Sequence, residues 1–165
     1  MPFFMEEPQL KALMDQMPQK GRVLWIGIRP ARRQPPIAKQ YVEVSPEQGL
    51  HGDHYAGSSG KRQVTLIQAE HLDVVASILG LPSLDPALTR RNIVVRGINL
   101  IALKERRFRI GQALLEATGP CVPCSRMEEN LGPGGYNAMR GHGGITARVI
   151  EGGIIRVGDE VQLFT

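Results

Sequence analysis

The motif Cys-Val-Pro-Cys at residues 121–124 contains both cysteines of the chain. The thiolate is the reactive form of cysteine, and it is favoured at a helix N-terminus or beside a cation. We predict a short helix over residues 123–130 with a proline at its first position. Cys124 would then lie just inside the helix start, two residues before Arg126. A thiolate at this point is suited to binding a soft metal or to attacking sulfur.

The cysteine pair also has other interpretations. Both thiols are compatible with burial as small apolar groups, although Gly119, Pro120 and Pro123 favour a loop. A thioredoxin-type motif lies near the start of a βαβ unit, a pattern that this chain lacks. A structural zinc site requires four ligands, and the histidines do not fall at zinc-finger spacing. The histidines are His51, His54, His71 and His142. We assign His71 to the surface or to hydrogen bonding within a helix.

Three further segments carry donors for an anion or a heterocycle. Arg90-Arg91-Asn92 precedes a predicted strand, so we expect these side chains to point into the space above the sheet. Arginine donates paired hydrogen bonds to phosphate, and the amide of asparagine can bind the polar edge of a heterocycle. The same sequence is also compatible with two solvent-exposed charges at the start of a strand. Residues 49–60 and 132–144 are predicted as glycine-rich irregular loops, and the first does not match a P-loop.

Short strands outnumber helices in the predicted elements. Strands are expected at residues 22–29, 41–44, 63–67, 92–95, 107–110, 113–117, 146–150, 154–157 and 160–164, and further helices at 6–17 and 69–79. Turn signals at about every ten residues favour a barrel or sandwich with inserted helices. We divide the chain into an N-terminal helical extension, residues 1–20, and a main domain, residues 21–165.

The composition indicates one folded domain with frequent turns. The chain has 165 residues, 42% of them hydrophobic, with 19 glycines and 12 prolines. The net charge of +4 is too mild and scattered for a binder of nucleic acid polymers. No apolar run approaches the about 18 residues of a membrane span, and residues 1–7 lack the form of a secretory signal. We therefore expect a cytoplasmic protein that binds no membrane.

Five segments, in this order, resemble the MOSC family, named for the C-terminal domain of molybdenum cofactor sulfurase. They are GLHGD at 49–53, RQVTL at 62–66, RRNIVV at 90–95, GPCVPC at 119–124 and IRVGDEV at 155–161. The resemblance makes residues 21–165 a free-standing MOSC domain. It implies a mainly β fold with peripheral α-helices (α+β), built as a closed or partly open β-barrel similar to that of pyruvate kinase.

The resemblance also implies roles for single residues. In members that bind molybdenum cofactor, a cysteine matching Cys124 ligates molybdenum, and residues matching Arg90 and Asn92 hold the pterin and its phosphate. We predict further cofactor contacts from donors in the neighbouring segments, namely Lys61, Arg62, Arg126, Asn137 and Arg140. Cys124 and His142 are the candidate catalytic residues, with His142 or His54 as the source of protons.

Two functions follow from the resemblance. Some members reduce N-hydroxylated compounds, such as hydroxylaminopurines and amidoximes, to the parent amine, and others were proposed to carry sulfur as a persulfide. We expect a molybdenum-dependent reductase, while Cys121 as a resolving thiol keeps the sulfur carrier as the alternative. The partners are a small N-oxygenated substrate and an external electron or sulfur donor, because no flavin, NAD or iron–sulfur signature is present. Pyridoxal phosphate is associated with the family, but we do not expect it to bind this domain directly.

Overall fold

The computed structural model describes residues 7–54 and 60–165. The strands are β1 (Gly21–Ile28), β2 (Ile37–Lys39), β3 (Tyr41–Ser45), β4 (Gly49–Leu50), β5 (Val64–Gln68), β6 (Ile93–Arg96), β7 (Arg107–Ile110), β8 (Ala113–Pro120), β9 (Ile145–Glu151), β10 (Gly153–Arg156) and β11 (Glu160–Leu163). The α-helices are α1 (Glu7–Met14), α2 (Ala69–Leu79), α3 (Arg126–Leu131) and α4 (Gly135–Met139), and 3-10 helices cover Pro86–Thr89 and Leu100–Leu103. Glu6 of the first predicted helix, residues 55–59 of the first glycine-rich loop and most of the segment tested for a signal lie outside the described residues.

Seven strands form a closed barrel. The sheet runs in the order β11-β7-β8-β9-β5-β6-β1, and β11 also pairs with β1, for example Gly21 with Val161. Strand β2 extends the sheet beside β1, and a small second sheet has the order β10-β3-β4. Strands β5 and β6 are parallel. The prediction of a mainly β, barrel-like fold with peripheral helices is confirmed.

Apolar side chains fill the barrel and also cover part of its outer surface. Inside, the largest contributions include Phe108, Ile110 and Leu66, none of them accessible to solvent. Outside, Ile67 and Val94 pack beneath the helices in a second apolar cluster. Strand β5 is buried on both faces for this reason, so its five residues are all buried.

The helices form a layer on one side of the barrel. Helix α2 has the predicted bounds and ends at Gly80, whose φ of +72° is favourable for glycine. Helices α2, α3 and α4 all contribute to the second apolar cluster through Leu72, Met127 and Met139. Helix α4 lies within the segment predicted to be irregular, so that prediction is wrong there. Helix α1 has no buried residue, and the division at residue 20 remains a prediction.

A row of polar residues crosses the strands at one rim of the barrel. Asn92 Oδ1 accepts hydrogen bonds from the backbone N–H and the hydroxyl of Thr65, at 3.1 and 3.0 Å. Thr65 is paired with Thr146 across β5 and β9, and Thr146 is paired with Gly119 in β8. The row therefore brings the start of β6 and the end of β8 to the same rim. Residues that precede β6 and residues that follow β8 meet there.

Within the described residues, none of the helices has the length and apolar character needed to cross a membrane.

Candidate functional site

The cysteine loop, residues 121–125, leaves the barrel at the end of β8 and leads into α3. The N–H of Cys121 donates to the carbonyl of Gly144 at 2.8 Å, which extends the pairing of β8 with β9. Cys121 is buried, Cys124 is exposed, and both thiols are free. Helix α3 begins only at Arg126, so the predicted helical position of Cys124 is wrong. The Cys124 thiol is presented to solvent on a loop.

Two glycines of the glycine loop, residues 140–144, lie too close to neighbouring backbone to carry a side chain. A Cβ on Gly143 would lie 2.1 Å from the carbonyl oxygen of Cys121, and a Cβ on Gly144 would lie 1.8 Å from that of Leu66. Gly144 also has a φ of +84°, which other residues rarely adopt. Glycine at position 143 therefore allows the glycine loop to pack against the backbone of the cysteine loop, and glycine at position 144 allows it to pack against the backbone of β5.

Arg91 forms hydrogen bonds to the backbone of both loops. Its Nε donates to the carbonyl of Gly143 at 2.8 Å, and its Nη2 donates to that of Cys121 at 3.3 Å. Nη1 donates to the carbonyl of Thr89 at 2.9 Å, so the buried guanidinium has acceptors on three segments. Burial lowers the pKa of Arg91. Because its donors are used on the backbone, Arg91 positions both loops.

A cavity of about 600 Å³ beside the cysteine loop, here called the arginine cavity, is strongly basic. Its lining comprises Arg29, Ala31, Arg32, Arg33, His54, Arg90 and Arg126. None of these described lining residues is acidic. Five guanidinium groups around one cavity match an anionic ligand such as a phosphate, which arginine binds through paired hydrogen bonds.

The electrostatics of the arginine cavity are unfavourable without an anion. Burial lowers the pKa of Arg90, and the positive charges of Arg29 and Arg126 lower it further. The thiol of Cys124 raises the pKa of Arg90, which indicates that its sulfur lies near this guanidinium. Arg29 Nε is buried without a hydrogen-bond partner, and the carboxylate oxygen of Asp53 is 3.9 Å away. An anion would relieve the repulsion and supply the missing acceptor.

Asn92 is buried in the barrel wall. Its Nδ2 donates to the carbonyl of Gly27 at 3.1 Å and to Asp53 Oδ1 at 3.3 Å, while its Oδ1 accepts from Thr65. The same Asp53 oxygen accepts the backbone N–H of Arg29 at 2.7 Å. The expectation that Asn92 points into the space above the sheet is therefore wrong. Asn92 fixes the segment that carries Arg29, and its predicted contact with a pterin is still a prediction.

A second cavity, of about 460 Å³, lies against the cysteine loop and is here called the histidine cavity. Its lining comprises Gln68, His71, Asn99, Leu100, Ile101, Pro120, Cys121, Val122, Pro123, Gly141, His142, Gly143 and Gly144. The rings of His71 and His142 meet edge to face with centroids 5.3 Å apart, and His142 Nδ1 is 3.0 Å from the carbonyl oxygen of Ala138. No described lining residue is Asp, Glu, Lys or Arg.

His71, predicted to lie at the surface or to be hydrogen-bonded within a helix, is a half-buried residue of α2. Its Nδ1 is buried and has no hydrogen-bond partner in the described structure. Burial lowers the pKa of His71, and the neighbouring His142 lowers it further. The protonated form of His71 is therefore disfavoured in the folded protein.

The sequence matches the model of the MOSC domain over residues 47–162. This chain belongs to the MOSC family. The resemblance carried by its five segments is thereby confirmed, and the barrel extends the matched segment at its N-terminal side through β1, which pairs with β6 and β11. No curated protein gives a significant match to the sequence.

The MOSC fold of this chain is shared with solved structures at low sequence identity. The YuaD protein from Bacillus subtilis has a TM-score of 0.76 and 20% identity, covering 88% of this chain and 96% of that protein. YiiM from Escherichia coli has a TM-score of 0.67 and 20% identity, covering 87% and 70%. YiiM from Geobacillus stearothermophilus has a TM-score of 0.70 and 18% identity, covering 88% and 75%. These likenesses concern the fold.

The MOSC barrel brings some of the predicted site residues together and leaves others apart. Arg90, Arg126 and His54 line the arginine cavity. Arg62 lies instead against Cys121, with Nη2 3.9 Å from Sγ. This contact gives the buried thiol a cationic neighbour of its own.

Three predicted donors line neither cavity. Asn137 and Arg140 are exposed on and just after α4, and Arg140 Nη1 donates to Asn137 Oδ1 at 3.4 Å. Lys61 is also exposed, and its carbonyl accepts a hydrogen bond from Thr118. Their predicted contacts with a cofactor remain predictions. Across residues 7–54 and 60–165, no group of three or more His, Cys, Asp or Glu is placed to hold a metal ion.

Sequence reasoning missed three arginines of the candidate site. Arg29, Arg32 and Arg33 follow β1 in a loop and complete the arginine cavity. The signal was present as a dense basic cluster directly after a buried strand. Only the antiparallel pairing of β1 with β6, in which Ile26 faces Ile93, shows that this cluster meets Arg90.

Proposed function

We propose that this chain is a molybdenum-cofactor-binding oxidoreductase that reduces N-hydroxylated small molecules, with Cys124 as the molybdenum ligand. Family membership supports an association with molybdenum cofactor. The observation that carries the proposal is the exposed Cys124 thiol, which acts electrostatically on Arg90, together with the cavity that Arg90 and four other arginines line. In this proposal Cys124 binds the metal of the cofactor, and the arginine cavity binds its anionic part.

The residues present fit this cofactor. A thiolate is a soft ligand, of the kind that suits a metal already bound by dithiolene sulfur. The unpartnered Arg29 Nε and the mutual repulsion at Arg90 suit the phosphate of the pterin. Arg126 lines the same cavity immediately after the cysteine loop. Cys124 would hold the metal, and the arginine cavity would hold the phosphate.

The proposed reaction cleaves an N–O bond. An N-hydroxylated amine takes up two electrons and two protons and becomes the amine and water, with the electrons coming from an external donor protein. The bound cofactor supplies the two-electron chemistry. The chain's own residues orient the cofactor and deliver protons, and His142 is the proposed proton source because it lines the cavity beside the cysteine loop.

Metal analysis of protein made in a host that produces the cofactor tests this proposal. We expect stoichiometric molybdenum and pterin, lost in Cys124→Ala and retained in Cys121→Ala, and reduction of an amidoxime with a chemical electron donor. Absence of molybdenum from the unsubstituted protein would overturn the proposal. Retention of the full metal content in Cys124→Ala would overturn the assignment of the ligand.

A sulfur carrier is the second candidate. It is favoured by the presence of a free, buried thiol in the same loop as the exposed one, since Cys121 would be available to resolve a persulfide on Cys124. Intact-mass measurement after incubation with a cysteine desulfurase and cysteine would then show one added sulfur atom, removed by dithiothreitol and absent in Cys124→Ala. Such an adduct on molybdenum-free protein supports the carrier rather than the reductase.

A further inference from the structure

We propose that the histidine cavity binds a neutral, planar aromatic or heteroaromatic ring, and that it holds the body of the substrate. The assignment as a substrate pocket rests on the proposed function, whereas ring binding does not. The arginine cavity would then select the anionic cofactor, and the histidine cavity would select the uncharged reactant.

The cavity has the size and surface of a small-molecule site. Its volume of about 460 Å³ falls within the about 300–1,000 Å³ typical of such sites. Ile101 and Val122 lie at its lining with 53% and 63% of their surfaces exposed. A ligand that covers large, exposed apolar side chains beside a cavity removes their surface from water, which stabilises the complex.

The polar groups of the cavity favour an uncharged ring. His71 Nδ1 is buried without a partner, so a ligand N–H or acceptor group would satisfy it. The edge-to-face pair of His71 and His142 offers ring surfaces for stacking. Two amide side chains also line the cavity, Gln68 and Asn99. Gln68 already uses its Oε1 to accept the N–H of Leu100 at 2.9 Å, and Asn99 offers a second uncharged polar group.

The charged groups nearest to the cavity do not line it. Glu70, on the same helix as His71, lines a separate cavity, where its Oε2 accepts the backbone N–H of Gly97 at 3.0 Å and its Oε1 is buried without a hydrogen-bond partner. Arg62 approaches Cys121. Burial and the neighbouring His142 lower the pKa of His71, against a smaller opposing effect of Glu70, so the protonated imidazole is disfavoured. A carboxylate or an ammonium ion would therefore lose hydration in this cavity without meeting a lining Asp, Glu, Lys or Arg of opposite charge.

The cysteine loop connects this cavity to the arginine cavity, which is lined by Arg126, the residue directly after the loop. Cys121, Val122 and Pro123 line the histidine cavity, and the next residue is the exposed Cys124. A ring held there lies beside the thiol that the proposed function assigns to the metal. The reducible N–O group of an aromatic hydroxylamine or amidoxime projects from the ring edge, so it can reach out of an apolar cavity toward the metal.

Binding to the cofactor-free protein tests the ring site directly. Each compound is added stepwise to the protein, and nuclear magnetic resonance follows the imidazole signals of the four histidines. We expect benzamide to shift the His71 and His142 signals saturably, with cyclohexanecarboxamide and benzoate binding at least tenfold more weakly. Unshifted His71 and His142 signals would overturn the proposal, as would equal binding of all three compounds.

Two matched variants locate the site. Ile101→Glu places a carboxylate at the cavity, and Ile78→Glu makes the same change on the outer face of α2, where the isoleucine is 59% exposed. We expect Ile101→Glu to weaken benzamide binding at least tenfold and Ile78→Glu to leave it unchanged. Equal affinity in the two variants would overturn the assignment.

The loaded enzyme separates this inference from the proposed function. With an aromatic amidoxime, Ile101→Glu should raise KM at least tenfold while its molybdenum content equals that of Ile78→Glu. Normal KM with normal molybdenum would refute the substrate pocket alone. Benzamide binding by a protein that never acquires molybdenum would refute the proposed function and leave the ring site standing.

Discussion

Arg90 and Arg91 are sequence neighbours with different tasks. Arg91 is 5% exposed and donates to backbone carbonyls of three segments. Arg90 has a φ of +59°, at the end of the 3-10 helix Pro86–Thr89, and lines the arginine cavity. An arginine pair in a sequence does not reveal which member is buried, because that depends on the local backbone turn. The sequence therefore predicted Arg90 at the site and missed the positioning role of Arg91.

The first prediction concerns the repulsion at Arg90. Arg90→Gln removes a cation whose pKa is lowered by burial and by neighbouring arginines, so the cofactor-free protein should keep or increase its free energy of unfolding. The same change should reduce the molybdenum content of the loaded protein. Urea denaturation and metal analysis measure the two effects. Arg96→Gln, at an exposed ion pair with Asp73, is the control and should retain the metal.

The second prediction is a pH dependence of stability due to His71. Its folded pKa is lowered below 6.5, so the unfolded state binds the proton more tightly and the stability is lost as pH falls through 6.5. The melting temperature should therefore drop between pH 7.5 and 5.5, and His71→Phe should make this drop smaller.

Carboxylates with a lowered pKa affect the stability only at lower pH. Glu116, where burial opposes hydrogen bonds from Arg107 and Arg148, has a lowered pKa and loses its contribution below about pH 4.5.

At the scale of elements, the third prediction concerns the contact between the two loops. Gly143→Ala would push a Cβ to within 2.1 Å of the Cys121 carbonyl oxygen and should destabilise the fold by about 1–3 kcal/mol. Gly119→Ala is the matched control, since a Cβ there meets nothing within 4 Å. Urea denaturation measures the loss, and the alkylation rate of Cys124 reports the displacement of the cysteine loop. Equal stabilities for the two variants would contradict the proposed contact.

Sequence patterns predicted the regular elements well where they depend on local signals. The hairpin around Gly111-Gln112 and the helix that ends at Gly80 follow such signals and are confirmed. Helix α4 was missed because its start depends on another element: Glu128 accepts the N–H groups of Gly134 and Tyr136 at 3.1 and 3.0 Å. These hydrogen bonds lower the pKa of Glu128. A glycine-rich sequence alone does not show this side-chain cap.

For the whole molecule, the fourth prediction compares α1 with the barrel. Helix α1 has no buried side chain, and just after it Asp15 forms an ion pair with Arg106 at 2.8 Å. Asp15→Ala should therefore change the free energy of unfolding only slightly, because the pair is solvated. Phe108→Ala empties the centre of the barrel and should cost about 3–5 kcal/mol. Urea denaturation compares them, and a similar loss in both variants would mean that the extension is part of the core.

The barrel topology could not be worked out from strand patterns. Closure depends on β1 pairing with β11 across almost the whole chain, and the site depends on the rim row through Asn92, Thr65 and Thr146. Such long-range pairings leave no local signal. The resemblance to the MOSC family supplied the barrel, whereas the roles of Arg29 and His71 needed the three-dimensional contacts.

The cysteine loop connects two cavities of different character: its residues 121–123 line the histidine cavity, and Arg126, directly after the loop, lines the arginine cavity. A synthetic inhibitor could exploit this geometry by carrying a phosphonate at one end and an aryl group at the other, joined by a linker that passes over Val122. Each half alone would bind weakly, because it would occupy only one of the two cavities. Tethering the halves would multiply their affinities through effective concentration, and an electrophile in the linker would meet Cys124.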